Sequence, residues 1–142
     1  MKRETKSEGR LLSIGIDVGT SAIKLAIVDD VPGRPRALLL KSERLRRRDP
    51  RAPAQSLYDE ALAEAQLSPA DVDYVATTGD GEVVAFRTGH FYGMTTHARG
   101  AIFLDGNVKA VLDVGALHTR AMQIDGRAKV LGSRMTSHCA SQ

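Results

Sequence analysis

Short apolar runs separated by glycine, proline and polar residues fill the first third of the chain. Runs of this length, bounded by turn residues, are typical of β-strands. They predict three strands, at residues 11–17, 22–29 and 36–45. The connections are short, Gly19-Thr20-Ser21 and the proline-containing stretch 30–35. Three consecutive strands joined in this way predict an antiparallel meander.

The apolar spacing becomes helical after the third strand. One face of a predicted helix at 54–67 carries Leu57, Ala61, Leu62 and Ala65. Ser68-Pro69 ends this helix, and a short buried strand is predicted at 72–77. The order strand-strand-strand-helix-strand is that of a ribonuclease H-like half-domain. The expected fold class is therefore α/β, a meander extended by a helical crossover.

The rest of the chain predicts a second helix and a second meander. The helix spans 95–104, with Thr95 or Thr96 as its N-cap. Strands are predicted at 109–113, 119–124 and 128–135, with Asp125-Gly126 as a two-residue hairpin turn. The predicted organisation is a charged tail at 1–10, one lobe at 11–106 and a second unit at 107–142. The second unit has no helix of its own to cover it, so we expect it to pack on the first lobe or to be mobile.

A strand–Asp–Gly–strand pattern occurs twice, as Ile16-Asp17-Val18-Gly19 and as Leu112-Asp113-Val114-Gly115. Glycine lets a phosphate approach the backbone, and consecutive amides can bind it. The predicted phosphate-binding residues are Gly19, Thr20, Ser21, Lys24, Gly115 and Ala116. Asp17 and Asp113 are the candidate catalytic carboxylates, because each could hold Mg²⁺ through water. The alternative is a pair of ordinary hairpins, in which Asp and Gly serve only the turns.

Composition and charge narrow the class of protein. The chain has 142 residues, 42% hydrophobic and 26% charged, with no apolar run long enough to span a membrane and no signal-peptide core. We therefore expect a cytoplasmic protein with no membrane partner. The net charge of +3 is concentrated in Arg44, Arg46, Arg47, Arg48 and Arg51. These arginines predict either a site for an anionic partner or a solvated loop, and without interleaved aromatic residues they do not indicate nucleic acid.

The single cysteine, Cys139, excludes a disulfide within the chain and a metal site made of cysteines alone. The four histidines, His90, His97, His118 and His138, show no spacing typical of metal ligands, which favours surface or loop positions.

The segment Gly15-Ile16-Asp17-Val18-Gly19-Thr20-Ser21-Ala22-Ile23-Lys24 resembles the first phosphate motif of the acetate kinase, sugar kinase, Hsp70 and actin superfamily. More narrowly, the chain looks like the ATPase subunits of benzoyl-CoA reductase, which are related to the activators of 2-hydroxyacyl-CoA dehydratases. Within that family it looks most like the D-type subunits. The segments that carry this resemblance are 46–50, 71–79, 88–101, 111–118 and 135–141.

The resemblance implies an actin-like ATPase that binds ATP and Mg²⁺. It implies a dimer with a homologous ATPase subunit, and a [4Fe-4S] cluster shared across the interface, with Cys139 as one ligand. Ferredoxin would reduce that cluster, and ATP hydrolysis would drive electrons to the catalytic reductase subunits. Because members of the family are longer than this chain, the resemblance also implies that 107–142 is an incomplete start of the second lobe. An activator of a dehydratase and a non-catalytic fragment are the alternatives.

Overall fold

The computed structural model describes residues 9–136, which form two sheets and two α-helices. The elements in chain order are β1 Leu11–Val18, β2 Ala22–Val31, β3 Arg34–Arg44, α1 Arg51–Glu64, β4 Tyr74–Gly79, β5 Gly89–His90, α2 Gly93–Leu104, β6 Ala110–Val114, β7 Thr119–Ile124 and β8 Val130–Thr136. Single turns of 3₁₀-helix lie at Pro69–Asp71 and Gly81–Val83. No helix within 9–136 is long and apolar enough to cross a membrane.

The first sheet has the strand order β3-β2-β1-β4-β5. β1, β2 and β3 pair antiparallel, whereas β4 returns through α1 and pairs parallel to β1. The predicted meander with a helical crossover is confirmed. In this register Asp17 lies opposite Lys24 on β2 and opposite Thr78 on β4.

The main core lies between the first sheet and α1. Alternation along β1 and β2 turns one face of each strand toward the helix. The buried apolar side chains of that face include Leu12, Ile14, Ile16, Val18, Ile23, Leu25 and Ile27. Helix α1 buries Ala54, Leu57, Tyr58, Ala61 and Leu62 against them. The opposite face of the sheet carries Asp17 and Lys24, so the core fixes the strands that present these side chains.

The element boundaries differ from the predicted ones for local reasons. Helix α1 begins at Arg51, three residues early, because Pro53 lies in the first turn, where a backbone N–H has no helical partner. The stretch 30–35 is a tight turn at Pro32-Gly33 rather than a loop, with Gly33 at φ +76°. Pro35 is accepted within β3 because β3 is an edge strand of the sheet.

The second sheet, in the order β6-β7-β8, is antiparallel and is covered by α2. Ala98 of α2 packs in one buried cluster with Met122, Ile124 and Ala128. Residues 107–136 contain no helix of their own, and the cover comes from α2, which belongs to the predicted first lobe. The other face of this sheet stays open, and Leu112 is 68% exposed there.

Two predicted details of this region are wrong. Helix α2 begins at Gly93 after Tyr92, with no side-chain cap, and neither Thr95 nor Thr96 occupies the N-cap. The β7–β8 connection spans 125–129 rather than two residues. The Asp125 carboxylate accepts hydrogen bonds from the amides of Arg127 and Lys129, and Ala128 takes φ +62°. A carboxylate that binds two later amides favours this longer turn.

Candidate functional site

The first turn, Gly19-Thr20-Ser21, joins β1 to β2 next to Asp17. The Gly19 amide donates to the Ala22 carbonyl at 2.9 Å, so this N–H closes the turn itself. A side chain at Gly19 would come within 3.0 Å of the same carbonyl. The amides of Thr20 and Ser21 donate to no residue within 9–136. Gly19 therefore shapes the turn, and its two neighbours present N–H groups that an anion could use.

Asp17 lies at the end of β1, between Lys24 on β2 and Gly79 on β4. Lys24 Nζ lies 3.3 Å from Asp17 Oδ2, and the Asp17 side chain keeps 30% of its surface exposed. On the other side stands Gly79, at φ +65°. A side chain at Gly79 would overlap the Val18 carbonyl and approach Asp17 Oδ1 to 3.1 Å. Only glycine fits there, and its absence of a side chain leaves the Asp17 carboxylate reachable.

A cavity of about 540 Å³ opens on the sheet face that carries Asp17. Its floor is made of small and apolar residues of the first sheet, among them Gly15, Ala26 and Ala76. The polar side chains on this face are Asp17, Lys24, Ser42, Thr78, Thr96 and His97, whereas Lys41, also at the cavity, extends its ammonium group to Glu60 and Glu64 of α1. A concave site with a few convergent polar groups is the usual form of a small-molecule site.

The second turn, Gly115-Ala116-Leu117-His118, joins β6 to β7 in the same way as the first turn joins β1 to β2. The Gly115 amide donates to the His118 carbonyl at 2.9 Å, which is the counterpart of the bond from Gly19 to Ala22. Asp113 precedes Gly115 by two residues, as Asp17 precedes Gly19. The repeated sequence pattern is therefore also a repeated structure.

The first turn of α2 lies between the two sheets. The Thr96 hydroxyl is 3.3 Å from the Thr78 hydroxyl on the first sheet. The next residue, His97, places Nδ1 2.9 Å from Asp113 Oδ2 on the second sheet. Of the predicted site residues, the cavity brings Asp17 and Lys24 together, and His97 connects this cavity to Asp113. Gly19, Thr20, Ser21, Gly115 and Ala116 do not line the cavity.

Sequence reasoning missed Thr96 and His97 as site residues and favoured a surface or loop position for the histidine. His97 and Asp113 are 16 positions apart in the chain, so no local motif contains both. Only the packing of α2 on the second sheet brings them together. Thr78 and Gly79 end β4, and the structure places both beside Asp17.

The best-shielded ion pair lies at the other end of the first sheet. Asp29 is fully buried and accepts hydrogen bonds from Arg10 and Arg36. The pKa of the Asp29 carboxyl is lowered, chiefly by the hydrogen bond from Arg10. Burial acts in the opposite direction, and the hydrogen bond from Arg36 lowers the pKa further. Because these three groups lie at the end of the sheet away from the first turn, we assign them to stability rather than to the site.

The arginine-rich loop after β3 lies beside the first turn, since the Leu45 amide donates to the Ser21 carbonyl. Part of its charge is paired internally. Arg48 binds Glu43 at 2.7 Å, and Arg51 binds Asp49 and lowers the pKa of Asp49 to about 2. Whether this loop is a site for an anionic partner or a solvated loop therefore stays a prediction.

Metal ligation is predicted at Asp17, Asp113 and Cys139. Within 9–136 no three His, Cys, Asp or Glu side chains converge as a metal site. Mg²⁺ does not require such a group, because it usually keeps several waters and takes one or two carboxylates plus substrate phosphates. Asp17 and Asp113 are carboxylates of this kind, and their role as ligands stays a prediction. Cys139 lies outside the described residues.

The sequence model of the BadF/BadG/BcrA/BcrD ATPase family matches residues 14–142. The chain belongs to this ATPase family. Over 130 residues it is 51% identical to the D subunit of the benzoyl-CoA reductase of Thauera aromatica, covering 92% of this chain and 46% of that protein. It is 24% identical over 132 residues to the activator of lactoyl-CoA dehydratase of Anaerotignum propionicum, covering 92% and 49%. The chain thus spans about half the length of these two relatives of the family.

Solved structures show the same fold. Component A of the (R)-2-hydroxyglutaryl-CoA dehydratase of Acidaminococcus fermentans matches with a TM-score of 0.75 at 23% identity, over 92% of this chain and 49% of that one. The activator of the 2-hydroxyisocaproyl-CoA dehydratase of Clostridium difficile, solved with bound ADPNP, matches with a TM-score of 0.77 at 20% identity, over 92% and 47%. The expected α/β, actin-like ATPase fold is confirmed for this family member.

Proposed function

We propose that the chain is the nucleotide-binding part of the ATP-hydrolysing, electron-activating subunit of a benzoyl-CoA reductase. The observation that carries the proposal is the pair of matching Asp–Gly turns, in a member of an ATPase family. Helix α2 contacts the strand ends beside both, through Thr96 to Thr78 and through His97 to Asp113. The relative that is 51% identical is a benzoyl-CoA reductase subunit, which favours this reductase as the client enzyme.

In this proposal the first turn binds the phosphates of ATP. The amides of Thr20 and Ser21, with their hydroxyl groups, donate to phosphate oxygens, as consecutive turn amides do in anion sites. Lys24 neutralises part of the phosphate charge from β2. The second turn, through Gly115 and Ala116, approaches the same nucleotide from the second sheet.

Asp17 and Asp113 serve the metal in this proposal. A carboxylate next to a phosphate would be repelled by it, and a shared Mg²⁺ with its waters removes that repulsion. When bound, Mg²⁺ neutralises phosphate charge and orients the terminal phosphoryl group. Asp17 and Asp113 are both partly exposed, and each leaves an oxygen for a metal-bound water.

The electron-transfer role reaches beyond the described residues. We propose that Cys139 supplies one thiolate to a [4Fe-4S] cluster shared with a homologous ATPase subunit. Such a cluster supplies one-electron transfer at low potential. Ferredoxin would be its electron donor and the catalytic reductase subunits its acceptor. Residues 107–142 would then belong to the start of a second lobe, with α2 packed on it.

Titration calorimetry of the 142-residue chain with Mg-ATP tests nucleotide binding. We expect saturable binding in the wild type and at least a tenfold loss, about 1.4 kcal/mol, in Asp17→Asn. Asp30→Asn is the matched control, because it removes the same charge from the far end of the β1–β2 pair, opposite Leu11. Equal effects of the two substitutions would contradict the assignment of Asp17.

A non-catalytic fragment is the alternative that calorimetry addresses. The absence of heat at millimolar ATP would bound binding to weaker than about −4 kcal/mol. That result in the wild-type chain would favour the fragment.

An activator of a 2-hydroxyacyl-CoA dehydratase is the alternative client assignment, supported by the fold shared with two such activators. Reconstitution decides between the two. The chain, extended to the length of its relatives, is combined with either a benzoyl-CoA reductase core or a dehydratase, and ATP-dependent reduction is followed. We expect ATP-dependent turnover when the extended chain is combined with the reductase core, and none when it is combined with the dehydratase.

A further inference from the structure

We propose that His97 is a positioning residue for Asp113, and that Thr96 and His97 of α2 set the strand ends that carry Asp17 and Asp113 relative to each other. This inference rests on the proposed nucleotide site and adds a residue to it. His97 would not touch the nucleotide. It would act through Asp113, the carboxylate assigned to Mg²⁺ from the second sheet.

The contact between the two side chains is short and partly shielded. His97 Nδ1 lies 2.9 Å from Asp113 Oδ2, with 35% of the histidine and 19% of the aspartate side chain exposed. Within 9–136, His97 is the one hydrogen-bonding partner of the Asp113 carboxylate. One oxygen is therefore held by the imidazole, while Oδ1 stays available to a metal-bound water.

Neighbouring residues of α2 reach different sheets. Thr78 donates its hydroxyl proton to the Phe91 carbonyl at 2.8 Å. The Thr96 hydroxyl lies between two acceptors, the Thr78 oxygen at 3.3 Å and the Gly93 carbonyl at 3.1 Å, so it contacts the end of β4 from α2. Thr78 is also the register partner of Asp17 on β4. Residues 96 and 97 thus connect the end of one aspartate-bearing strand pair to the end of the other.

Apolar packing already holds α2 on the second sheet, through Ala98 against Met122 and Ile124. The His97–Asp113 bond is consequently not needed to attach the helix. Its specific effect is to fix the orientation of a carboxylate. Partners that orient a metal-ligating group typically change metal affinity by about 10- to 100-fold when they are removed.

The test compares ATP binding with and without Mg²⁺ in His97→Ala, using the 142-residue chain. We expect Mg-ATP to bind about tenfold more weakly, while ATP in EDTA binds within about twofold of the wild type. His97→Asn, whose amide can donate from near the position of Nδ1, should recover most of the loss. Arg99→Ala is the control, an exposed substitution on the same helix.

Equal losses with and without Mg²⁺ would show a merely structural role, and no loss in either condition would also overturn the inference. A second readout does not depend on nucleotide. The imidazole ¹⁵N spectrum of His97 should show a protonated Nδ1 whose resonance shifts in Asp113→Asn. If the wild type binds no ATP, the proposed function fails, and an imidazole spectrum unchanged by Asp113→Asn would separately show that the bond is absent.

Discussion

The two turns have the same sequence pattern and an equivalent hydrogen bond, but the sheets that carry them differ greatly in size and in buried core. The first turn joins strands of a five-stranded sheet whose core includes fully buried Ile14, Ile23 and Ile27, packed against α1. The second turn joins two strands of a three-stranded sheet, held by a small cluster around Met122 and Ile124. The open face of the second sheet leaves Leu112 and Val114 exposed.

This difference shows that one local pattern does not determine the stability of its surroundings. Stability comes from the apolar area that a sheet buries, and the cluster between the second sheet and α2 is much smaller than the core between the first sheet and α1. We infer that the first sheet is the stable frame of the site, and that the second sheet depends on α2 for its position.

The largest expected difference in unfolding free energy is between substitutions of apolar residues in the two sheets. Ile14→Ala removes a side chain with no exposed surface and should cost about 3–4 kcal/mol of unfolding free energy. Leu112→Ala removes a side chain that is 68% exposed and should change stability by about 0.5 kcal/mol or less. Urea unfolding followed by circular dichroism measures both. Similar losses would show that the face carrying Leu112 is buried in solution.

A smaller difference in stability is expected between alanine substitutions of two glycines near the turns. Gly79→Ala should cost about 2 kcal/mol, because φ is +65° and a methyl group would overlap the Val18 carbonyl. Gly115→Ala should cost less, since its methyl group would lie 3.3 Å from the His118 carbonyl and needs only a slight adjustment. Thermal unfolding of the two variants compares them. A larger loss in Gly115→Ala would contradict the geometry of the second turn.

The smallest expected contrast is in acid sensitivity. Because the Asp29 pKa is lowered in the folded state, its stabilisation is present above the ordinary carboxyl pKa and is lost as the pH falls toward the lowered value. Asp29→Asn should cost about 1.5 kcal/mol at pH 7, and the difference from wild type should shrink below about pH 4. Unfolding free energies measured from pH 3 to pH 7 give this curve.

The second sheet has its own acidic residue for comparison. Hydrogen bonds from the Lys129 and Arg127 amides lower the pKa of Asp125, which lies in an exposed turn. Solvent weakens such interactions, so Asp125→Asn should have a smaller effect than Asp29→Asn at neutral pH. An equal pH dependence in the two variants would indicate that Asp29 is less shielded than its burial shows.

Most of the first sheet could be predicted from sequence, since its strands are bounded by turn residues and its helix has regular apolar spacing. The two-residue β5 could not, because a strand of that length has no periodicity. The packing of α2 was also missed. Chain order placed it with the first sheet, whereas its buried residue, Ala98, packs against Met122, which lies 24 positions later in the sequence.

The candidate site, like the fold, was predictable only where a local sequence pattern encodes it. Asp17, Gly19 and their counterparts Asp113 and Gly115 stand out because a local pattern recurs. Thr96 and His97 do not, since their partners lie on other elements and no spacing along the chain encodes the contact. Local chemistry identified the turns, and only tertiary packing showed what connects them.

Backbone amide shifts on addition of Mg-ATP test most directly whether both turns act on one nucleotide. In ¹H–¹⁵N spectra of the 142-residue chain, we expect the largest shifts at Thr20 and Ser21, with a second group at Gly115 and Ala116, following one common binding curve. Amides around Asp29, at the other end of the sheet, should stay unchanged. Shifts confined to one turn, or different affinities at the two turns, would contradict a shared site.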